Sequence, residues 1–419
     1  MARKRVLRVL FVRPDLGGRL SPLFAFGPPI DSGDVLPVAL LRLATAVKLG
    51  SPHRVFVHDA RRDKAGNRST RAVATVHKAD VCVVELDLAL LRAGLEVARA
   101  ARDGGCRLVL ASGPLAETWP AAVAGMPEFD GVIDPGGAPS LLALLGRAAT
   151  DSLDAASLAE ALGAAPGPPP AEARGTDRRL LDYAAYRRPH RLLGANPWRR
   201  VDKGRSAASP VLCEDEAGEP LPLDHLRADI EECALLGIPR LALRTARRLP
   251  LAELESLVGG ARFVVPAAAE GPDAAASLAR LGVEAVDLGD VGMGDATAVA
   301  EVVSWSEATR AHGLGLVGRA CFGTDRVDAE EDALRELETA QVSLDAVHRV
   351  AIPPNSTAAQ RAWSAWLDAP RVGFVPATLH GDRGIELAER ARVLLTGPPR
   401  RGTRELAGRL LRWAVQPRG

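Results

Sequence analysis

The sequence predicts an α/β protein: a doubly wound parallel sheet followed by a second run of βα units that makes a partial or complete barrel. Three observations predict it. Short apolar runs bounded by turn residues alternate with longer segments of helical spacing through both halves of the chain. A Pro/Ala/Gly-rich stretch, Ala164–Thr176 (AAPGPPPAEARGT), interrupts this alternation and marks an extended, semi-rigid boundary. With 419 residues, 47% of them apolar, there is material for more than one core.

The first strand is Arg5–Val12, Val/Leu/Phe-rich and stopped by the turn chemistry of Val9–Pro22 (VLFVRPDLGGRLSP). An apolar helix over Leu36–Leu49 precedes the strand Arg54–Asp59, and a helix near Thr70–His77 follows it. The alternation continues with strand Asp80–Leu86, helix Leu88–Arg102, strand Cys106–Ser112 and a short helix near Ala116–Ala124. Strand Asp130–Asp134 and helix Pro139–Ala148 complete the first domain, residues 1–150. Strands each followed by a helix form a parallel sheet with right-handed crossovers, and its ligands bind beyond the strand carboxyl ends.

That edge collects four loops, at Arg13–Pro22, Glu85–Asp87, Ser112–Pro114 and Asp134–Ala138. Its candidate binding residues are therefore Pro14, Asp15, Leu16, Gly17 and Gly18 after the first strand, and Glu85 and Asp87 after the third. Ser112, Gly113 and Pro114 follow the fourth, and Asp134, Gly136 and Gly137 the fifth; the glycines permit close backbone approach. An ordinary βα connection has the same composition. No G-x-G-x-x-G opens the first helix, which argues against a dinucleotide.

Residues 151–204 form the linker, and its far end, LLDYAAYRRPHRLLGANPWRR, holds both tyrosines of a chain with 4% aromatics. Tyr183 and Tyr186 either cover a ligand or pack a helix face. Residues 205–380 then carry strands at Ser209–Cys213, Arg240–Arg244, Arg262–Pro266, Ala285–Leu288, Gly315–Gly318 and Ala346–Ile352. Helices Asp224–Leu236, Leu251–Val258, Ala274–Leu281, Thr297–His312 and Glu330–Glu338 separate them. Arg371–Phe374 adds an edge strand, and Ile385–Leu395 and Arg404–Trp413 are amphipathic helices within residues 381–419. Arg319 and Asp325, flanking a barrel strand end, suit contacts to a carboxylate and a ribose.

Lys and Arg total 53 against 52 Asp and Glu, so no global field recruits nucleic acid or an anionic membrane. No signal peptide is read before the first strand, and no apolar run approaches the roughly 18 residues that cross a bilayer, so the cytoplasm is expected. Cys82, Cys106, Cys213, Cys233 and Cys321 are scattered, with no zinc or redox spacing, and read as reduced core thiols. P-loop, zincin and α/β-hydrolase motifs are missing, and the acids Glu214–Glu216 beside Cys213 disfavour a thiolate nucleophile.

The order of a doubly wound domain, the LLDYAAYR linker and a βα barrel resembles the cobalamin-dependent radical S-adenosylmethionine family over nearly the whole chain. Within it, VRPDLGGRLSP and GPPIDSGDVLPVALLRLATAV are similar to that family's first strand, Pro-rich loop and apolar helix. VFVHDA at Val55–Ala60 resembles its second strand ending in Asp, and ASGPLAET at Ala111–Thr118 its Gly-Gly-Pro turn. DPGGAPSLLALL resembles a Gly-Glu-Gly-Glu turn without the glutamates, while LGLVGRACFGTD and PPNST are similar to the barrel's Gly-Glu-Thr and Pro-Gly-Thr segments. The resemblance implies a flavodoxin-like cobalamin-binding domain joined to a partial radical-SAM-like barrel, with cobalamin on the edge named above and Tyr183, Tyr186 and Arg319 beside it.

One departure bears on mechanism. That family holds a 4Fe-4S cluster with C-x-x-x-C-x-x-C, where the corresponding segment here is RSAASPVLC. With Cys213 in the last position, Ser206 and Pro210 fill the others, and three thiolates are needed to leave one iron open. LGDVG at Leu288–Gly292 likewise puts Val291 where a Gly-x-Glu-Ser strand end has its glutamate. No 4Fe-4S cluster is expected. No D-x-H-x-x-G is present either, since Gly17 stands at the histidine position counted from Asp15, so cobalamin is expected without a protein histidine. His58 reads as a capped core or rim residue.

Three functions fit: methyl or alkyl transfer by polar cobalamin chemistry, with S-adenosylmethionine as a donor to a small-molecule substrate; a non-catalytic cobalamin-binding partner of an active enzyme; or a structural paralogue. The composition suggests specialised bacterial metabolism.

Overall fold

The computed structural model describes residues 5–15, 37–63, 65–86, 91–113, 115–116, 120–133, 137–150, 176–181, 209–213, 220–238, 240–245, 247–322, 327–342, 344, 346–349, 387, 390–391 and 394. They fall into two compact units. The first lies within Met1–Arg19, Leu36–Arg188 and Leu212–Glu232, the second within Leu20–Val35, Pro189–Val211 and Cys233–Gly419.

The first sheet has five strands: β1 (Arg8–Arg13), β2 (Arg54–Asp59), β3 (Val81–Glu85), β4 (Leu108–Ser112) and β5 (Gly131–Val132). They are parallel, in the order β2-β1-β3-β4-β5. The order reverses between β1 and β3, which is the flavodoxin-like arrangement with its crevice at those two strand ends. Val9, Leu10, Phe11 and Val12 are all fully buried, as a central strand covered on both faces requires. Val9 and Phe11 pack against Leu40, Leu43, Ala44 and Val47 of α1 (Val38–Gly50) and Leu141, Leu144 and Leu145 of α5 (Ala138–Ala148). Helices α2 (Ser69–His77), α3 (Leu91–Asp103) and α4 (Pro120–Ala124) complete this unit's crossovers.

Of the boundary stretch Ala164–Thr176, only Thr176 lies within the described residues. In the segment that follows it, the Arg178 guanidinium is fully buried and bonded to both carboxylate oxygens of Asp229, one of them at 3.0 Å, with Glu232 at 3.4 Å. Asp177 pairs with Lys48 at 2.5 Å, and its amide donates to Thr45 Oγ1 at 2.9 Å. Burial raises the Glu232 carboxyl above its ordinary range, and the neighbouring Arg178 works against that rise.

The second sheet contains β6 (Ser209–Leu212), β7 (Arg240–Arg244), β8 (Arg262–Pro266), β9 (Ala285–Gly292), β10 (Gly315–Phe322) and β11 (Ala346–Arg349). Its strands lie side by side in chain order, with no reversal, and the registers from β7 to β11 are parallel. Helices α6 (Leu223–Leu235), α7 (Leu251–Leu257), α8 (Ala275–Arg280), α9 (Ala296–Ala311) and α10 (Val327–Thr339) connect them, the repeat of a partial βα barrel. Asp295 caps α9, its Oδ1 accepting from the Thr297 amide at 2.9 Å.

Most elements start and stop within three residues of their expected positions. Two strands do not: β9 continues to Gly292 and β10 to Phe322, past the expected ends at Leu288 and Gly318. The LGDVG segment therefore forms the carboxyl-terminal end of β9. A register shift between Val317 and Arg319 opposite a left-handed Gly289, φ 68°, absorbs an extra residue and lets the ladder resume. Arg371–Phe374 and Arg404–Trp413 lie outside the described residues; within Ile385–Leu395, Leu387 and Ala391 are helical and buried with Val299, Val302, Leu334 and Leu337 of α9 and α10.

Candidate functional site

The rim at the β1 and β3 ends is built by charge. Arg13, 5% exposed, closes β1, and its Nη1 meets Asp59 Oδ2 at 3.4 Å, at the end of β2. Its Nε lies 3.7 Å from Glu85 Oε2, at the end of β3. One guanidinium thus spans the three strand ends nearest the order reversal. Asp59 also caps the turn Ala60–Arg62 by accepting from the Arg61 amide at 3.1 Å, which explains why an Asp ends this strand.

Beyond the strand, Pro14 and Asp15 are held by side chains rather than by a neighbouring strand. The Pro14 carbonyl accepts from Arg61 Nε at 3.0 Å. The Asp15 amide donates to Asn67 Oδ1 at 2.7 Å, and Asn67 Nδ2 donates to the Asp15 carbonyl at 3.0 Å.

At β4, Ser112 is buried and its Oγ donates to the Val84 carbonyl at 3.4 Å, a long bond. Gly113 has φ 91°, and a Cβ there would stand 3.0 Å from the Leu86 carbonyl oxygen. The glycine lets β4 leave the sheet flush against the β3 end, where the Leu86 amide donates to the Ser112 carbonyl at 2.7 Å. Gly137 takes right-handed helical angles as the residue before α5, a conformation open to any residue.

Pro14, Asp15, Glu85, Ser112 and Gly113 therefore lie at the carboxyl ends of adjacent strands β1, β3 and β4, as the sequence implied. Leu16, Gly17, Gly18, Asp87, Pro114, Asp134, Gly136, Tyr183 and Tyr186 lie outside the described residues. Arg319 lies on β10, its backbone in register opposite Asp290 of β9 and Ala346 of β11. Sequence reasoning missed Arg13 and Asn67; the Arg-Pro-Asp sequence at the first strand end offered a signal for the former, and nothing local pointed to the latter.

His58 Nε2 lies 2.8 Å from Ser69 Oγ, which donates its own proton to the Gly66 carbonyl at 2.6 Å, so the ring nitrogen is the donor. Burial lowers its pKa, with Asp63 and Asp59 partly opposing. His53, at the opposite edge, accepts from the Leu7 amide on Nδ1 at 3.3 Å, and burial lowers its pKa too.

A second arrangement lies on one face of the second sheet. Ala242, Val264, Ala285 and Val317 pack there as a small-residue surface. Arg244 shares the face of Ala242, since strand side chains alternate, and its Nη1 meets Asp287 Oδ2 at 2.8 Å. Asp287 Oδ1 accepts from the Gly289 amide at 2.8 Å. The alternation in RLALR was a usable signal for Arg244; its partner across β8 was not visible locally. Cys213 is buried at the end of β6, Cys233 is buried in α6, and Cys321 is partly exposed on β10. Cys82 and Cys106 share a thiol hydrogen bond that lowers the Cys106 pKa and raises that of Cys82. Among the described residues no three His, Cys, Asp or Glu side chains converge as a metal site, and no helix is long and apolar enough to cross a membrane.

A 2-1-3-4-5 parallel sheet followed by parallel strands wound in chain order is the architecture of a flavodoxin-like domain and a partial βα barrel. No protein-family model matches the chain, and no curated protein matches it by sequence. Among solved structures, it is similar to the radical S-adenosylmethionine methyltransferase TsrM from Kitasatospora setae with tryptophan and a SAM analogue bound. The TM-score is 0.52 at 16% identity, covering 81% of this chain and 72% of that one. TsrM with cobalamin and a [4Fe-4S] cluster matches with a TM-score of 0.51 at 16% identity, covering 82% and 75%. The cobalamin-dependent S-adenosylmethionine radical enzyme OxsB, with aqua-cobalamin and S-adenosylmethionine, gives 0.50 at 10% identity, covering 94% of this chain and 57% of that longer one. At these identities the likeness is one of fold.

Proposed function

We propose that the chain binds cobalamin on the strand-end rim of its first sheet and transfers a methyl or alkyl group to a small-molecule substrate, by non-radical chemistry without a 4Fe-4S cluster. The observation that carries this reading is the rim itself, where order reversal, a flush Gly113 exit and the braced Arg13–Asp59–Glu85 strand ends make a level platform. A corrin is a broad, mostly apolar disc edged with neutral amides. Glu85, with an 18% exposed side chain, can accept from such amides, and Ser112, whose hydroxyl has only a long internal bond, can donate or accept. The residues present fit the group in kind.

When bound, cobalamin supplies a cobalt centre able to accept and pass on an alkyl group. The chain's part is positioning. Arg13 holds three strand ends in register, Gly113 keeps the β4 exit low, and neutral His58 stays bonded to Ser69. On the second sheet, Arg244 and Asp287 offer opposite charges, suited to a zwitterionic substrate or S-adenosylmethionine. The absence of a cluster is proposed from the sequence, in which Ser206 and Pro210 stand where two thiolates would be needed. That substitution equally supports a second reading: a cobalamin-binding partner of an active enzyme, without turnover of its own.

The test is anaerobic purification after expression with added cobalamin, followed by a visible spectrum and iron and sulfide analysis. An equimolar corrin without iron supports the proposal, and methyl-transfer assays then separate enzyme from partner. Cluster-level iron and sulfide overturn the non-radical part. No bound corrin overturns the reading as a whole.

A further inference from the structure

We infer that Asn67 is a positioning residue for the rim, fixing the main chain at Pro14–Asp15 and, through it, the loop on which the corrin would rest; its cofactor role rests on the cobalamin reading above. Buried backbone polar groups must find partners, and where β1 ends its neighbours' ladders end with it. Asn67 supplies what a strand would. Its side-chain amide presents one acceptor and one donor in the same plane, and both engage the same residue: Oδ1 to the Asp15 amide at 2.7 Å, Nδ2 to the Asp15 carbonyl at 3.0 Å. Asn67 is 9% exposed, so the pair works out of bulk water.

The turn that carries Asn67 is itself anchored. Gly66 has φ 56°, and a Cβ there would stand 2.8 Å from Asp15 Oδ2, so this turn presses directly on Asp15. Ser69 ties the Gly66 carbonyl to His58 through bonds of 2.6 and 2.8 Å. His58 lies opposite Val12 in the β1–β2 ladder. The chain of contacts from Val12 through His58, Ser69, Gly66 and Asn67 to Asp15 closes a ring around the β1 exit. Arg61 completes it at the Pro14 carbonyl.

Side-chain identity at 67 is specific. Aspartate would keep volume and the acceptor but lose the Nδ2 donor, turning a 3.0 Å attraction to the Asp15 carbonyl into repulsion. The experiment compares the full-length chain with its Asn67→Asp and Asn67→Ala variants in two readouts: visible titration with hydroxocobalamin, and hydrogen exchange of the peptide containing Asp15. The expected result is about tenfold weaker corrin binding in each variant, since Asn67→Ala loses both hydrogen bonds and Asn67→Asp loses one and gains a repulsion in its place. Faster exchange should appear at Asp15, with the β3 and β4 peptides unchanged. Ser69→Ala, a milder change, should weaken binding about threefold, and it decides the matter if the Asn67 variants fail to fold. Unchanged binding by variants of a corrin-binding wild type overturns the cofactor role. If the wild type binds no corrin, the cobalamin reading falls and the cofactor role with it; exchange alone then judges the loop, and undisturbed exchange at Asp15 overturns that too.

Discussion

The two parallel sheets invite comparison at their charged positions. In the first, Arg13 is 5% exposed and spends its charge on Asp59 and Glu85, closing three strand ends at the point where strand order reverses. In the second, the Arg244 side chain is 27% exposed and meets Asp287 on a face of small residues, in a sheet whose order never reverses. An order reversal opens a crevice that must be braced from within, so its charges become structure. In the unreversed sheet the pair shares a face with the buried Ala242, Val264 and Ala285, where Arg244 keeps partial exposure and Asp287 is buried.

Removing each cation tests that difference most severely. Arg13→Met should cost about 3–5 kcal/mol, because it removes a buried guanidinium from the buried Asp59 carboxylate and from Glu85 together. Arg244→Met should cost less, about 1–3 kcal/mol, since it takes from the buried Asp287 a guanidinium that water already reaches. Urea denaturation of both variants measures the gap; equal losses would erase the distinction.

Glycines sharpen it next. Gly113→Ala places a Cβ 3.0 Å from the Leu86 carbonyl oxygen at φ 91°, and should cost about 1–3 kcal/mol together with corrin binding. Gly289→Ala, at φ 68° with nothing within 4 Å, meets only backbone strain and should cost about 1 kcal/mol. Thermal melts rank the two.

The smallest effect is a pH dependence confined to the first unit. His58 and His53 have folded-state pKa values below their unfolded value of about 6.5. The unfolded chain therefore takes up protons first as pH falls. Stability is intact above about pH 6.5 and is lost as pH drops from there towards the folded-state values, with a slope of at most about 1.4 kcal/mol per pH unit for each group. His58→Gln should flatten the slope of unfolding free energy between roughly pH 7 and 5; an unchanged slope would mean that His58 does not carry it.

Much of this was legible in the chain. The apolar run Val9–Val12 specified a doubly covered strand, because it is Val/Leu/Phe-rich and stops at turn chemistry rather than continuing at helical spacing. The residues after it, Pro14 and Asp15, fell where a strand-end rim had to be. Less legible were the ends of β9 and β10, expected at Leu288 and Gly318, because a bulge opposite Gly289 lets the ladder resume only once a neighbouring strand is present to continue it. Nor was the buried Arg178–Asp229 pair legible, since it joins residues 51 apart in sequence.

By itself, then, the sequence determined the alternation of strand and helix, the two sheets and the strand ends at which a ligand would sit, since these follow from local periodicity and turn chemistry. The tertiary structure alone decided what holds that rim. Asn67 reaches Asp15 across 52 residues and Arg13 reaches Asp59 across 46, and such partners are chosen by which strand lies beside which. Periodicity reports the face a side chain occupies; only strand order reports what it meets there.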